Sequence, residues 1–412
     1  MEQRERVMTG LTTFRRDPVA TAFAGAFALL PSSAAVIFYS QGFFLGPVTE
    51  EFGWSRSQFM GTVTMALIAL AVLYPLVGRL GDRFGARRVL VPGILLFGFG
   101  MMSLSLVGDN LPLYAVLTIL IGMAGVVQSP LLYSMVVAHR APLRSRGKLI
   151  AICTTGVPLG NMAIPPLVVW LIAEFGWRGA RVGLGLAILF CALPVALMFM
   201  GDARERIKSV SEKTRSAALS VISRRPGVLL LSAIFLSGLA LNGFLVSLVP
   251  MVTDRGLLPS DAARILVVAA VAGVFGRIGA GWLLDRVQKP QIGVLWYIAG
   301  TIGIGLSFYP GGTLVLTIGS ICLGLALGAE TELGAYYTSR FYDRKHFGEV
   351  LGLLSCCYTI GGALGGQMFS VFFDQFGDYV LASIVAAVLV AVSAVLLLAL
   401  PPYPTLSDDQ AH

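Results

Sequence analysis

Arg277, Glu330 and Glu332 are the residues of this 412-residue sequence whose chemistry is hardest to dismiss. Each falls inside a stretch otherwise dominated by Gly, Ala, Val, Ile and Leu. If such a stretch crosses a bilayer, a charge at its centre costs about 2.5–3.5 kcal/mol and calls for a reason. An arginine there can grip a carboxylate through two hydrogen bonds from its planar fork. A glutamate can carry a proton or balance the arginine when no anion is bound. Arg277 therefore reads as an anion-binding residue, with Glu330 and Glu332 as proton-coupling candidates. The competing reading is a permanent ion pair that merely tolerates burial. The two glutamates are two residues apart, about 200° around a helix, so they cannot share a face. At most one reaches the space that Arg277 occupies, and spacing alone leaves both open.

No other grouping supports chemistry. Cys153, Cys191, Cys322, Cys356 and Cys357 all lie in apolar runs without metal-ligand spacing. His139 and His346 fall in short basic segments and His412 ends the sequence. Gly276, Gly279 and Gly281 imitate part of a nucleotide-binding loop, yet no strand precedes them, which favours helix packing. Neither a metal nor a cofactor is implied, and an enzyme lacks a nucleophile or an acid–base set.

The elements that must position these residues are membrane helices. Hydrophobic residues make up 56% of the chain and charged ones 13%, with a mean hydropathy of +0.81; soluble domains carry roughly 25% charged residues. Runs long enough to span a bilayer are predicted near 19–44, 58–80, 88–107, 111–137, 148–173 and 178–200, then 227–252, 261–286, 291–308, 313–337, 348–373 and 379–401. The first run follows Arg15 and Arg16, is too long for a signal peptide, and reads as a retained span. Residues 1–200 form an N-terminal six-helix domain and 227–412 a C-terminal one. The polar stretch 201–226 joins them as a cytoplasmic linker, with scope for an amphipathic surface helix. The fold class is all-α: twelve transmembrane helices in two pseudo-symmetric six-helix bundles.

The net charge of +8 is distributed as topology demands, which argues against a nucleic-acid partner. Under this scheme 24 of the 30 Lys and Arg residues face the cytoplasm. Five lie outside (Arg56, Arg178, Arg181, Arg255 and Arg264), and Arg277 stands alone in the membrane. That asymmetry places both termini in the cytoplasm. An internal repeat supports the two halves. At an offset of 203 residues, Gly78, Asp82 and Arg83 match Gly281, Asp285 and Arg286, Gly125 and Tyr133 match Gly328 and Tyr336, and Tyr39 falls on Asn242. Parallel duplication of this kind is a known transporter architecture.

The run Gly78-Arg79-Leu80-Gly81-Asp82-Arg83-Phe84-Gly85-Ala86-Arg87-Arg88 resembles the signature loop after the second helix of the major facilitator superfamily. A shorter copy, Gly281-Trp282-Leu283-Leu284-Asp285-Arg286, follows the eighth helix. The resemblance implies an alternating-access carrier whose two domains rock about a central cavity. It also implies a gating role for Gly78, Asp82, Arg83, Arg87, Arg88, Asp285 and Arg286, which would bias the state equilibrium without touching substrate. Within the superfamily the chain is most similar to the monocarboxylate-transporter and oxalate/formate-antiporter branch. Gly53-Trp54-Ser55, Gly276-Arg277, and Gly328-Ala329-Glu330 followed by Tyr336 carry that likeness. It implies anion binding by Arg277. In the family, helices 1, 4, 7 and 10 line the cavity, which adds Tyr39, Gln41, Gln128, Tyr133, Asn242, Thr331 and Tyr336 as candidates. Span 11 offers Ser355, Cys356, Cys357 and Tyr358 but no lysine, so one membrane cation suits a monoanion better than a dianion.

The expectation is a multi-pass inner-membrane carrier, functional as a monomer, that moves a small organic monoanion such as a monocarboxylate together with a proton. Substrate would touch Arg277, Tyr39, Gln41, Gln128, Tyr133, Asn242, Tyr336 and Tyr358, and the proton Glu330 or Glu332. Gly147, Gly156, Pro158 and Gly160 in span 5 partly resemble the antiporter motif of drug exporters, so proton-driven drug efflux is the alternative. A receptor or scaffold on a carrier fold, binding without flux, is a third.

Overall fold

The computed structural model describes residues 17–142, 144–201, 225–287, 289–306, 312–342 and 347–403, apart from the side chains of Pro75, Asp82, Thr331, Phe347 and Glu349. All regular structure among them is helical. The chain forms two compact units, Met1–Ser209 and Val210–His412. The expected linker at 201–226 falls almost wholly outside the described residues.

In the first unit α1 is broken. It begins as Pro18–Ala28, where Asp17 caps the Val19 amide and proline occupies the first turn. A π turn follows at Ala34–Phe38, and the helix resumes over Gln41–Phe52 until Gly53, at φ 67°, ends it. Next come α2 (Arg56–Phe84), opened by a reciprocal cap between Ser55 and Gln58, α3 (Ala86–Leu106) and α4 (Leu111–Arg140). Helix continues from Arg146 to Met198, 53 residues, more than twice what one crossing needs. It turns at Gly176, whose φ of 67° and ψ of 176° suit only glycine, so α5 covers 146–175 and α6 covers 177–198.

The second unit repeats the plan. Its helices are α7 (Arg225–Thr253), α8 (Pro259–Val287), α9 (Pro290–Leu306), α10 (Gly312–Phe341), α11 (Phe347–Phe376) and α12 (Val380–Leu398). The duplication shows in the helix ends themselves. Arg56 and Phe84 lie 203 residues before Pro259 and Val287, and both helices are 29 residues long. α7 is also interrupted by a π turn, at Gly238–Asn242, within one residue of the position the offset assigns from α1.

Glycines set how closely these helices cross. Gly156 and Gly160 lay α5 on the carbonyls of Ala26 and Leu30 in α1, and a Cβ at either would overlap that backbone. Gly361 and Gly365 do the same for α11 on Phe235 and Leu239 of α7. The span-5 glycines that resemble an exporter motif thus have a packing duty in this chain.

The position of Arg181 corrects the loop reading. Because α6 starts at Trp177, Arg181 sits inside the helix and is fully buried. Arg277 is therefore not the only arginine within a helical pass.

Candidate functional site

The candidate site is built where α8 meets α10. Gly276 rests against the Leu325 backbone, and Gly324 and Gly328 rest on the carbonyls of Ala269 and Gly273. With no side chains between them, the two helices touch along their backbones, and residues beyond the crossing are brought alongside. Arg277 Nε comes to 3.4 Å from Glu332 Oε1. Their side chains are 43% and 40% exposed, although both lie well inside apolar helices.

Helical phase tells which surface that exposure belongs to. Val271, Phe275, Ile278 and Trp282 are exposed at intervals of four, three and four residues, the stripe expected of a lipid-facing helix. Arg277 lies about 200° from Phe275, on the side where Ala269, Ala270, Gly276, Ala280 and Leu284 are buried. The pair is thus open on a face distinct from the apolar stripe. An ion pair left this accessible is screened and contributes little to stability, so opening it costs little. A carboxylate arriving at Arg277 can replace Glu332 without leaving the guanidinium bare.

Glu330 points elsewhere. It is 4% exposed. Ser237 Oγ in α7 donates to its Oε1 at 2.9 Å, and Tyr297 OH in α9 does so at 3.1 Å. Its Oε2 is buried without a hydrogen-bond partner. The two glutamates therefore occupy different environments, as their 200° separation requires: Glu332 beside Arg277, Glu330 in the interior of the unit.

The other expected site residues divide in the same way. Gln128 and Tyr133 are completely buried and linked, with Tyr133 OH donating to Gln128 Oε1 at 3.1 Å and Gln128 donating to the Ala28 carbonyl. The first bond lies within α4 and the second ties α4 to α1, both in a closed interior. Tyr336 OH donates to the Leu284 carbonyl at 2.9 Å and accepts from Arg340 at 3.2 Å, tying α10 to α8. Gln41 is buried and accepts from Arg181. Asn242, at the end of the α7 π turn, is buried with Nδ2 unpartnered. Tyr39 follows the α1 π turn and Tyr358 lies in α11, both half-buried. The side chain of Thr331 is outside the described residues.

Of the expected gating residues, Arg83, Arg87, Arg88, Asp285 and Arg286 are exposed. Arg286 stacks over the Trp282 ring at 4.2 Å and Arg83 over Phe84 at 5.1 Å. A Cβ at Gly81 would press into Leu132, whereas at Gly78 it would meet only Leu131 at an ordinary 3.8 Å. The Asp82 side chain is outside the described residues.

Sequence reasoning missed three groups: Arg181, Ser237 and Tyr297. A stricter reading of Gly176 as a helix breaker would have found Arg181, since it places the residue one turn inside the next helix. Ser237 and Tyr297 carry no sequence signal beyond being polar in apolar runs.

Among the described residues, twelve helices in two repeated units, with buried and half-buried polar groups along their interiors, form the fold of a multi-pass membrane carrier. The comparisons agree. The Major Facilitator Superfamily model matches residues 21–365, and the chain belongs to that superfamily. It is a transporter family, not an enzyme family. Among curated proteins, the chain is 26% identical over 337 residues to monocarboxylate transporter 13 of Rattus norvegicus, covering 80% of this chain and 76% of that one. It is 27% identical over 373 residues to a gallate transporter of Pseudomonas putida, covering 80% and 81%. Among solved structures, the nucleoside transporter NupG aligns with a TM-score of 0.76 over 93% of this chain and 100% of that one, at 13% identity, which is a likeness of fold alone.

Proposed function

We propose that this chain is a proton-coupled carrier of a small organic monoanion, a monocarboxylate, working by alternating access. The observation that carries the reading is the half-exposed Arg277–Glu332 pair. In the resting site Glu332 balances Arg277. A substrate carboxylate takes the arginine fork, and Glu332, relieved of its partner, takes the proton. The loaded site then has the same net charge as the empty one. A cycle carrying one proton with one anion moves no net charge, so it avoids the roughly 2.3 kcal/mol per 100 mV that an uncompensated charge would feel. Relatives named as carriers of monocarboxylates and of gallate support an acid as substrate.

The basic-residue asymmetry supports both termini on the cytoplasmic side, and the bacterial gallate relative supports the inner membrane. One chain holds both halves of the repeat, which supports function as a monomer. The signature residues Gly78, Asp82, Arg83, Arg87, Arg88, Asp285 and Arg286 are proposed to set the balance between carrier states.

The deciding experiment is ligand binding to purified protein by thermal shift, with small acids, amides and cations run on wild type and Arg277→Ala across pH. Stabilisation by a monocarboxylate that vanishes in the variant is the expected result. Binding of cations or neutral compounds only, equal in both proteins, would make Arg277 structural and turn the reading to drug export.

A further inference from the structure

Among the described residues, no carboxylate answers the charge of Arg181. It is 0% exposed. Its Nη2 donates to Gln41 Oε1 and to Tyr114 OH, both at 3.0 Å, and its guanidinium lies 3.7 Å from the Phe44 ring centroid. Nε and Nη1 are buried and have no partner. All three neighbours are uncharged.

Two acids at this end of the unit, Glu51 and Asp109, are engaged elsewhere, and Glu50 and Glu174 are exposed. Glu51 accepts from Arg178 Nη1 at 2.5 Å and from the Trp177 indole at 2.6 Å. Asp109 accepts from the Trp54 indole at 2.8 Å. Trp54 and Phe59 pack against the Tyr114 ring, with centroids at 5.4 and 6.0 Å, so the surroundings are aromatic and dry. A guanidinium does not shed its proton under such pressure. A buried cation without a counter-charge, and with donors unmet, is strongly disfavoured.

We propose that Arg181 is the centre of a binding site for a small monovalent anion, held by the Nε and Nη1 hydrogens inside the first six-helix unit. Gln41 and Tyr114 occupy Nη2 and Phe44 covers the ring face, leaving those two groups as the unused donors. Their complete burial favours a compact ion of chloride's size. The carboxylate head of a small acid has the same chemistry, and the test separates the two. The site is independent of Arg277 and of what the chain transports.

The experiment is thermal unfolding of the purified full chain at constant ionic strength, with sodium gluconate replaced stepwise by chloride and, separately, by acetate. Wild type, Arg277→Ala, Arg181→Met and Tyr114→Phe are compared. Chloride is expected to raise the wild-type Tm saturably, by roughly 4 °C at a hundredfold excess over Kd. The shift persists in Arg277→Ala, vanishes in Arg181→Met, and needs more chloride in Tyr114→Phe. A shift with acetate alone, lost in Arg181→Met, identifies the anion as a carboxylate. The proposal is overturned by a wild-type Tm indifferent to both anions, or by a shift that survives Arg181→Met. Should Arg181→Met fail to fold, an unchanged anion midpoint in Tyr114→Phe overturns it equally.

Discussion

Glu332 and Glu330 sit two residues apart on α10, yet one lies 3.4 Å from the Arg277 guanidinium and the other accepts hydrogen bonds from Ser237 and Tyr297 in the unit's interior. This division assigns different work to two chemically identical groups. Under the proposed function, Glu332 is the group with which an incoming anion competes for Arg277. Glu330 holds three helices together.

Transport should therefore respond to Glu332 and Arg277 in opposite ways. Arg277→Ala removes a charged two-bond grip and is expected to weaken substrate affinity about a hundredfold. Arg277→Lys should recover only part, because an ammonium cannot reproduce the fork. Glu332→Gln leaves the arginine available but cannot take a proton. It should abolish accumulation driven by a pH gradient while exchange of substrate for substrate continues. Uptake and counterflow in proteoliposomes distinguish the two, and gradient-driven accumulation by Glu332→Gln would remove this glutamate from the coupling step.

Glu330→Gln is expected to be mild. The amide oxygen can still accept from Ser237 and Tyr297, so stability should change by no more than about 1 kcal/mol and pH-driven uptake should persist. Glu330→Leu removes the acceptor that Ser237 and Tyr297 share, leaving the Ile234 carbonyl for Ser237 and Ser237 Oγ for Tyr297, and should cost about 1–3 kcal/mol. The check is the Tm of both variants in detergent beside their uptake rates. Loss of pH-driven uptake in a stably folded Glu330→Gln would move the coupling role to Glu330.

How much of this could be read from the sequence depends on what fixes each feature. The α2 and α8 ends were legible because their signals are local: the Ser55–Gln58 cap, Pro259 at a helix start, and the 203-residue match of the signature loops. The interruption of α1 has a local signal in Pro31, which lies between Ala28 and Ala34, but the unbroken apolar run 19–44 reads as one span and the π turn itself has no such mark. Arg181 lies within the run 178–200 yet counts there among the outside basic residues, and only the turn at Gly176 places it a full turn inside α6. The choice between Glu330 and Glu332 depends on the rotation of α10 against α8. Gly273, Gly276, Gly324 and Gly328 set that rotation through a backbone contact that no single-chain pattern displays.

That contact yields a third prediction. A Cβ at Gly328 would fall on the Gly273 carbonyl, where no side-chain rotation can relieve it. Gly328→Val should force α8 and α10 apart, cost about 3 kcal/mol, and separate Arg277 from Glu332. Gly281→Ala on α8, where a Cβ meets nothing within 4 Å, is the control and should be nearly silent in Tm. Equal behaviour of the two variants would mean that the α8–α10 crossing yields more easily than its backbone contact implies.

The last prediction concerns acid. Glu51, at the end of α1, accepts from Arg178 and from the Trp177 indole, and these bonds to its charged form hold its carboxyl below the ordinary value, the Arg178 bond most of all. A carboxyl whose folded value is depressed adds stability that is fully present above its unfolded value, near 4.3, and is lost as pH falls through the folded one. The α1–α6 contact should thus be insensitive to pH from neutrality down to about 5 and weaken only in stronger acid. Because both side chains are near 40% exposed, the ion pair itself contributes no more than about 1 kcal/mol, and salt should reduce it. The indole bond is less affected by salt, so Glu51→Gln, which can keep an acceptor for Trp177, should be milder than Glu51→Ala. Trp177 fluorescence during acid titration, in a background where the other four tryptophans are phenylalanine, reports the contact directly. A midpoint at or above 4.3 in wild type would show that Arg178 does not stabilise the carboxylate in solution.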